Sequence, residues 1–101
     1  MDYAEAARLA QVWVDIFSHG QGVILEKETL SRPYGFVFFW DGREYARTGR
    51  NGFIGNTPIL IDHHGDLKVL GAMRPIEEQL AKYEATLPPG RMKEVPKPPW
   101  R

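Results

Sequence analysis

Gly55-Asn56-Thr57-Pro58-Ile59-Leu60-Ile61-Asp62, followed by His63-His64-Gly65-Asp66 and the return Leu67-Lys68-Val69-Leu70-Gly71, is the stretch on which the reading of this chain turns. Pro58 stands where a strand can begin without an N–H donor, and the run after it is apolar and β-branched. Gly65 can take the left-handed conformation that a short hairpin loop needs. The pattern predicts a β-hairpin. It carries no chemistry of its own, and pattern alone leads only to a small α+β domain.

The chain has 101 residues, enough for one domain whose core removes roughly two-thirds of the unfolded surface from water. A domain over residues 1–87 and a Pro-rich tail over 88–101 are expected. There is no cysteine, which excludes a disulfide framework, a thiol nucleophile and thiolate metal sites. Thirteen basic residues balance thirteen acidic ones, so the whole molecule lacks the positive field that draws proteins to phosphate backbones, and nucleic acid is not an expected partner. No apolar run approaches the roughly 20 residues of a bilayer span, and Met1-Asp2-Tyr3-Ala4-Glu5 lacks the basic segment of a signal peptide. The reading is cytoplasmic, with no membrane partner.

Upstream of the hairpin, Leu9, Val12, Trp13, Ile16 and Phe17 recur at three- and four-residue spacing and predict an amphipathic helix from Asp2 to Ser18 with that stripe as its core face. Asp2 and Glu5 form an acidic capping box, and Gly20 supplies the stop. Trp13, in the middle of the stripe, reads as core rather than as a binding anchor. Val23 to Leu30 reads as an edge strand, with Glu26, Lys27 and Glu28 on its exposed side. In Ser31-Arg32-Pro33-Tyr34-Gly35 the proline and glycine occupy the second and fourth positions of a turn, ahead of Phe36-Val37-Phe38-Phe39-Trp40. Five consecutive large apolar residues predict a strand covered on both faces or central in the sheet.

Downstream, Arg74-Pro75-Ile76-Glu77-Glu78 opens a second helix, with Pro75 at its first position and carboxylates near its positive end. Ile76, Leu80, Tyr83 and Leu87 form its apolar face, and Glu78 and Lys82 form a weak surface pair. This helix stops at Pro88-Pro89-Gly90. The tail with Pro96, Pro98 and Pro99 is read as extended. Trp100 either packs back on the domain, the preferred reading, or meets a partner.

Asp41 to Gly55 is the least regular segment. Asp41-Gly42 could turn a hairpin into Arg43–Thr48, but that segment alternates poorly, and a strand end followed by a short turn or helical piece is preferred. Arg43, Tyr45, Arg47, Arg50, Asn51 and Phe53 stand among its glycines. Arg and Tyr are enriched at interface hot spots, so these six residues form the candidate partner-binding surface, with solvated charge as the competing reading. The glycines do not make a phosphate loop, because no Lys-Ser/Thr ending follows them.

No catalytic set emerges. His63 and His64 diverge in a tight turn, Asp62 is a lone carboxylate whose ordinary task is to bind turn N–H groups, and His19 complements a helix C-terminus. A small metal enzyme using His63, His64 and Asp62 is the outlying alternative. The main expectation has no catalytic residue, metal or cofactor.

An aromatic strand from Gly35 to Trp40, Arg43-Glu44-Tyr45, Gly55-Asn56 before Pro58-Ile59-Leu60-Ile61-Asp62, Leu70-Gly71, Pro75-Ile76-Glu77-Glu78 and Tyr83-Glu84 follow one another in this order. The succession resembles the immunity protein 35 family, which includes the YrhB-like proteins, from the first helix to about Glu84. The resemblance implies a small cytoplasmic α+β protein encoded beside a toxin of a bacterial polymorphic or contact-dependent system, which it neutralises by binding. The chain departs from the family pattern in its short loop between Tyr45 and Gly55 and in its tail. The resemblance implies no residue-level binding site, and it leaves the Gly-Asn-x-Pro core as scaffold. Chaperone-like behaviour associated with a YrhB-like relative gives the alternative, a general chaperone-like or stress-related binding protein. The expected architecture is a four-stranded antiparallel sheet with the N-terminal and C-terminal helices packed on one face.

Overall fold

A computed structural model describes residues 1–50, 52 and 56–92. Helix α1 (Tyr3–Ser18) starts as its sequence dictates: Asp2 accepts the Glu5 N–H at 2.9 Å while Glu5 accepts the Asp2 N–H at 3.3 Å. The helix ends where His19 and Gly20 both turn left-handed. Strand β1 (Gly22–Ile24), a 3-10 turn (Glu26–Glu28), β2 (Leu30–Arg32), β3 (Gly35–Phe38), β4 (Trp40–Gly42) and α2 (Arg43–Thr48) follow. Then come β5 (Ile59–Asp62), β6 (Leu67–Val69), α3 (Ile76–Glu84) and α4 (Pro89–Met92).

The α+β class and antiparallel pairing agree with the sequence reading, and the expected single sheet does not. One sheet has the order β2-β3-β5-β6, and a separate two-stranded sheet joins β1 to β4. The segment read as one edge strand, Val23 to Leu30, is divided by the 3-10 turn, which puts its halves in different sheets. The predicted two-residue turn is present, with Arg32 opposite Gly35 across Pro33 and Tyr34.

A second correction concerns the helices, which cover opposite faces of the four-stranded sheet. Phe36, Phe38, Ile59 and Ile61 pack with Ala6, Ala7, Ala10 and Val14 of α1. Val37, Leu60 and Tyr34 pack with Leu80 of α3, flanked by Ile76, Tyr83 and Leu87. The physical reason is the unbroken apolar character of β3 and β5: alternate side chains point to opposite faces, so both faces need a cover.

The third correction is to α1 itself. Its buried stripe is alanine and valine, whereas Val12, Ile16 and Phe17 are 49%, 74% and 57% exposed. Leu9 and Trp13 lie at the margin of the core. Small residues let the helix backbone approach a sheet face already filled by two phenylalanines, so bulk went to the sheet and the larger helix residues were displaced outward.

The central hairpin forms as predicted. Its register runs from Ile59 opposite Val69 to Ile61 opposite Leu67, and Gly65 has φ 91°. The loop carries its own clamp, since one oxygen of the Asp62 carboxylate accepts the N–H groups of His64 and Asp66, each at 2.9 Å. Gly35 meets a different demand: a Cβ there would fall on the Ile61 carbonyl, so β3 and β5 approach this closely only with glycine. In α3 the proline precedes the first helical residue, and the helix ends at Glu84. The first residues of the segment read as an extended tail form α4, tied to the hairpin by Arg91 and Asp62 at 3.4 Å. Trp100 lies outside the described residues.

Candidate functional site

Arg43–Thr48, the part of the candidate surface preferred as a short turn or helical piece, is helical and has no buried residue. The helix is held to the domain at its first residue. The Arg43 N–H donates to the Gln21 carbonyl at 2.8 Å, its Nε donates to the Gly20 carbonyl at 3.0 Å, and its guanidinium meets Asp15 at 3.4 Å. Arg43 is therefore a tether between α2 and the end of α1, a task that sequence reasoning did not assign to it. Tyr45 is 39% exposed and borders a small hollow of about 220 Å³ with Leu25, Trp40, Asn56 and Pro58. Arg47 and Arg50 are exposed, and their side chains have no hydrogen-bond or ion-pair partner among the described residues. Asn51 and Phe53, the remaining two of the six, lie outside the described residues.

The tether brings α2 beside residues the sequence reading had assigned to the core. Asp15 shares the last turn of α1 with Ile16 and Phe17. The Phe17 ring stacks on Trp13 with centroids 4.8 Å apart and meets Trp40 edge-on at 5.8 Å. Trp40 is fixed from both sides: its indole N–H donates to the Thr57 carbonyl at 2.8 Å, and its own carbonyl accepts from the Asn56 amide at 2.6 Å. Asn56-Thr57 thus serves as scaffold for the buried Trp40, against which the exposed Phe17 ring leans. The sequence did carry a signal for this. Ala6, Ala7, Ala10 and Val14 form a second helical stripe, and a helix with two candidate faces buries the one that permits the closer approach.

The opposite end of the molecule holds the polar groups with shifted proton affinity. The buried Tyr34 hydroxyl donates to Glu84 at 2.7 Å. Burial, then that carboxylate, raises the Tyr34 pKa well above the ordinary tyrosine value. Tyr83 is raised as well, by burial and then by Asp62, and Lys68 lies 5.5 Å from its ring centroid. Both phenols stay protonated at neutral pH; Tyr34 is a packed hydrogen-bond donor, and Tyr83 packs against the Tyr34 ring with centroids 5.2 Å apart. Asp62 is consumed by its turn and by Arg91, the His63 ring lies edge-on to Phe36 at 5.5 Å, and His64 is exposed. Among the described residues, no three of His, Asp and Glu converge as a metal set. Nor is any described helix long and apolar enough to cross a membrane.

Comparison with known proteins adds one relative. Over 53 residues, 50% of this chain and 56% of the other, the sequence is 38% identical to the uncharacterized protein YrhB of Escherichia coli strain K12. The chain thus spans about half the length of the curated relative it matches. No family model and no solved structure matches.

Proposed function

We propose that this chain is a non-catalytic inhibitor of the immunity type, which binds a cognate bacterial toxin domain in the cytoplasm and neutralises it by occlusion. The observation that carries the reading is the surface at the end of α1. Ile16 and Phe17 stand exposed in the same helical turn as the anchor of α2, and α2 presents Tyr45 and Arg47 with Arg50 just beyond it. Exposed aromatic and aliphatic anchors beside arginines form the composition of interface hot spots. The similarity to YrhB supports the resemblance to the YrhB-like proteins, and the motif order from Gly35 to Glu84 supports the immunity side of the reading. The cations also supply a local positive field on a neutral protein, suited to an acidic toxin surface or a catalytic carboxylate.

One observation favours the chaperone-like reading: Val12, Ile16 and Phe17 are apolar and exposed on a single helix, a surface that would also hold unfolded clients. Co-expression separates the two. The inhibitor reading predicts rescue of cells from the toxin domain encoded beside this chain and from no unrelated toxin. Equal protection of unrelated aggregation-prone proteins, without selective rescue, would transfer the function to the chaperone reading.

A further inference from the structure

The two sheets end in strands that are treated differently. The outer side of β1 is closed by one side chain: Gln11 of α1 donates to the Gly22 carbonyl at 3.1 Å and accepts the Ile24 N–H at 3.0 Å. A primary amide that gives and takes in this way occupies the place of a neighbouring strand's peptide unit. The same device appears beside β6, where Gln79 of α3 accepts the Gly71 N–H at 2.6 Å and donates to the Gly71 carbonyl at 3.0 Å. Here it stops short.

The Leu70 N–H bonds the Pro58 carbonyl, and the Asp62 N–H bonds the Asp66 carbonyl. Even-numbered residues of this strand therefore face β5, and the odd ones, Leu67, Val69 and Gly71, turn their backbone groups outward. Gln79 covers Gly71. Among the described residues, Leu67 and Val69 keep an open donor and acceptor row at the end of the β2-β3-β5-β6 sheet.

We propose that this edge accepts an extended segment of a partner protein by strand addition, and that the segment reads apolar–acidic–apolar. On one face of the sheet, Leu67 and the 44% exposed Val69 would meet the two apolar residues. On the other face Lys68 points to α3, over a groove of about 780 Å³ whose walls include Arg74, Glu78, Lys82 and Tyr83. Glu78 is paired with Lys82 at 3.8 Å, while Lys68 and Arg74 have no carboxylate partner among the described residues. An acidic residue opposite Lys68 would enter this positively charged groove. A second copy of the chain is a poor occupant: the antiparallel register that uses both outward residues sets Lys68 directly against Lys68, and lysine on an edge disfavours self-pairing. The other edge, β2, is led in by Glu26 and Glu28 and lacks this charge preference. The proposal goes beyond the inhibitor reading and uses none of the residues of the α1–α2 surface.

The test is titration of the whole chain with an acetylated, amidated heptapeptide of alternating valine and glutamate, followed by amide resonances and hydrogen exchange. Saturable shifts centred on Leu67 and Val69, with exchange of those two amides slowed at least tenfold, are expected. Lys68→Glu, or Lys68→Gln if the reversal unfolds, should weaken binding at least several-fold, and a peptide with lysine in place of glutamate should bind at least tenfold more weakly. N-methylation of the peptide amides that face β6 should abolish binding. No saturable change at millimolar peptide, equal binding of the lysine or methylated peptide, or protection of Leu67 and Val69 that depends only on protein concentration would each overturn the proposal.

Discussion

The central hairpin and α2 are neighbours in sequence, with β5 beginning at Ile59 and α2 ending at Thr48, and opposite in construction. Every residue of β5 is buried, its backbone is bonded on both sides, and Asp62 locks the turn that follows. Helix α2 buries nothing and is attached mainly through Arg43. The difference assigns separate tasks: the hairpin and its two covers hold the fold, and α2 with the last turn of α1 is free to be a surface. If that division is right, substitutions in the two regions have opposite signatures, stability in one and binding in the other.

The largest expected effect is in the core. Phe38→Ala would empty a fully buried site between β3 and the alanine face of α1, at a cost of about 3 to 5 kcal/mol in chemical denaturation. A cost below about 1 kcal/mol would mean that α1 collapses onto the gap, and the close-packed face described above would be wrong.

A smaller and pH-dependent effect is expected at the second cover. Tyr34→Phe removes the hydrogen bond to Glu84, worth about 1 kcal/mol at neutral pH. Because the folded-state pKa of Tyr34 is raised, its contribution is fully present below the ordinary tyrosine value of about 10 and is lost as pH rises past it. Denaturation at successive pH values should show wild type above the variant near neutrality and the gap closing above pH about 10. Tyr3 and Tyr83 are raised too, so both proteins weaken there, and only the gap reports Tyr34. A constant gap would detach the hydroxyl from the stability of this face.

Arg43→Ala tests the tether. It removes a half-exposed ion pair and one bond to a carbonyl, together about 0.5 to 1 kcal/mol. Hydrogen exchange in α2 should accelerate more than exchange in β5. Uniform acceleration would show that α2 is part of the cooperative core after all.

These contrasts follow what was legible in the sequence. Hairpin, turns, capping box and the apolar face of α3 could be read because each is set by local chemistry: proline and glycine at fixed offsets, a carboxylate pair, a period of three and four. The orientation of α1 could not be read from its largest apolar residues. Which of two stripes is buried depends on the bulk of Phe36 and Phe38 across the interface, and a window over one helix does not contain that information. The helices' placement on opposite faces was implied by the five-residue apolar run from Phe36 to Trp40, which needs cover on both sides. The division of the Val23–Leu30 segment was hidden because Glu26-Lys27-Glu28 suits an exposed strand and a 3-10 turn equally well. At the candidate surface, arginine content pointed to α2 but did not separate the tether, Arg43, from the exposed Arg47 and Arg50. The exposure of Ile16 and Phe17 was not legible, because an amphipathic pattern points to its largest apolar residues as the core face.

The most direct test of the division is calorimetric titration of the proposed cognate toxin domain with the Arg47→Glu, Arg50→Glu double variant, with a thermal melt run in parallel. The expected result is a Kd at least tenfold weaker than wild type, about 1.4 kcal/mol, with the melting temperature unchanged, since neither side chain has a partner among the described residues. An unchanged Kd in a folded double variant would contradict the account and place the binding surface elsewhere.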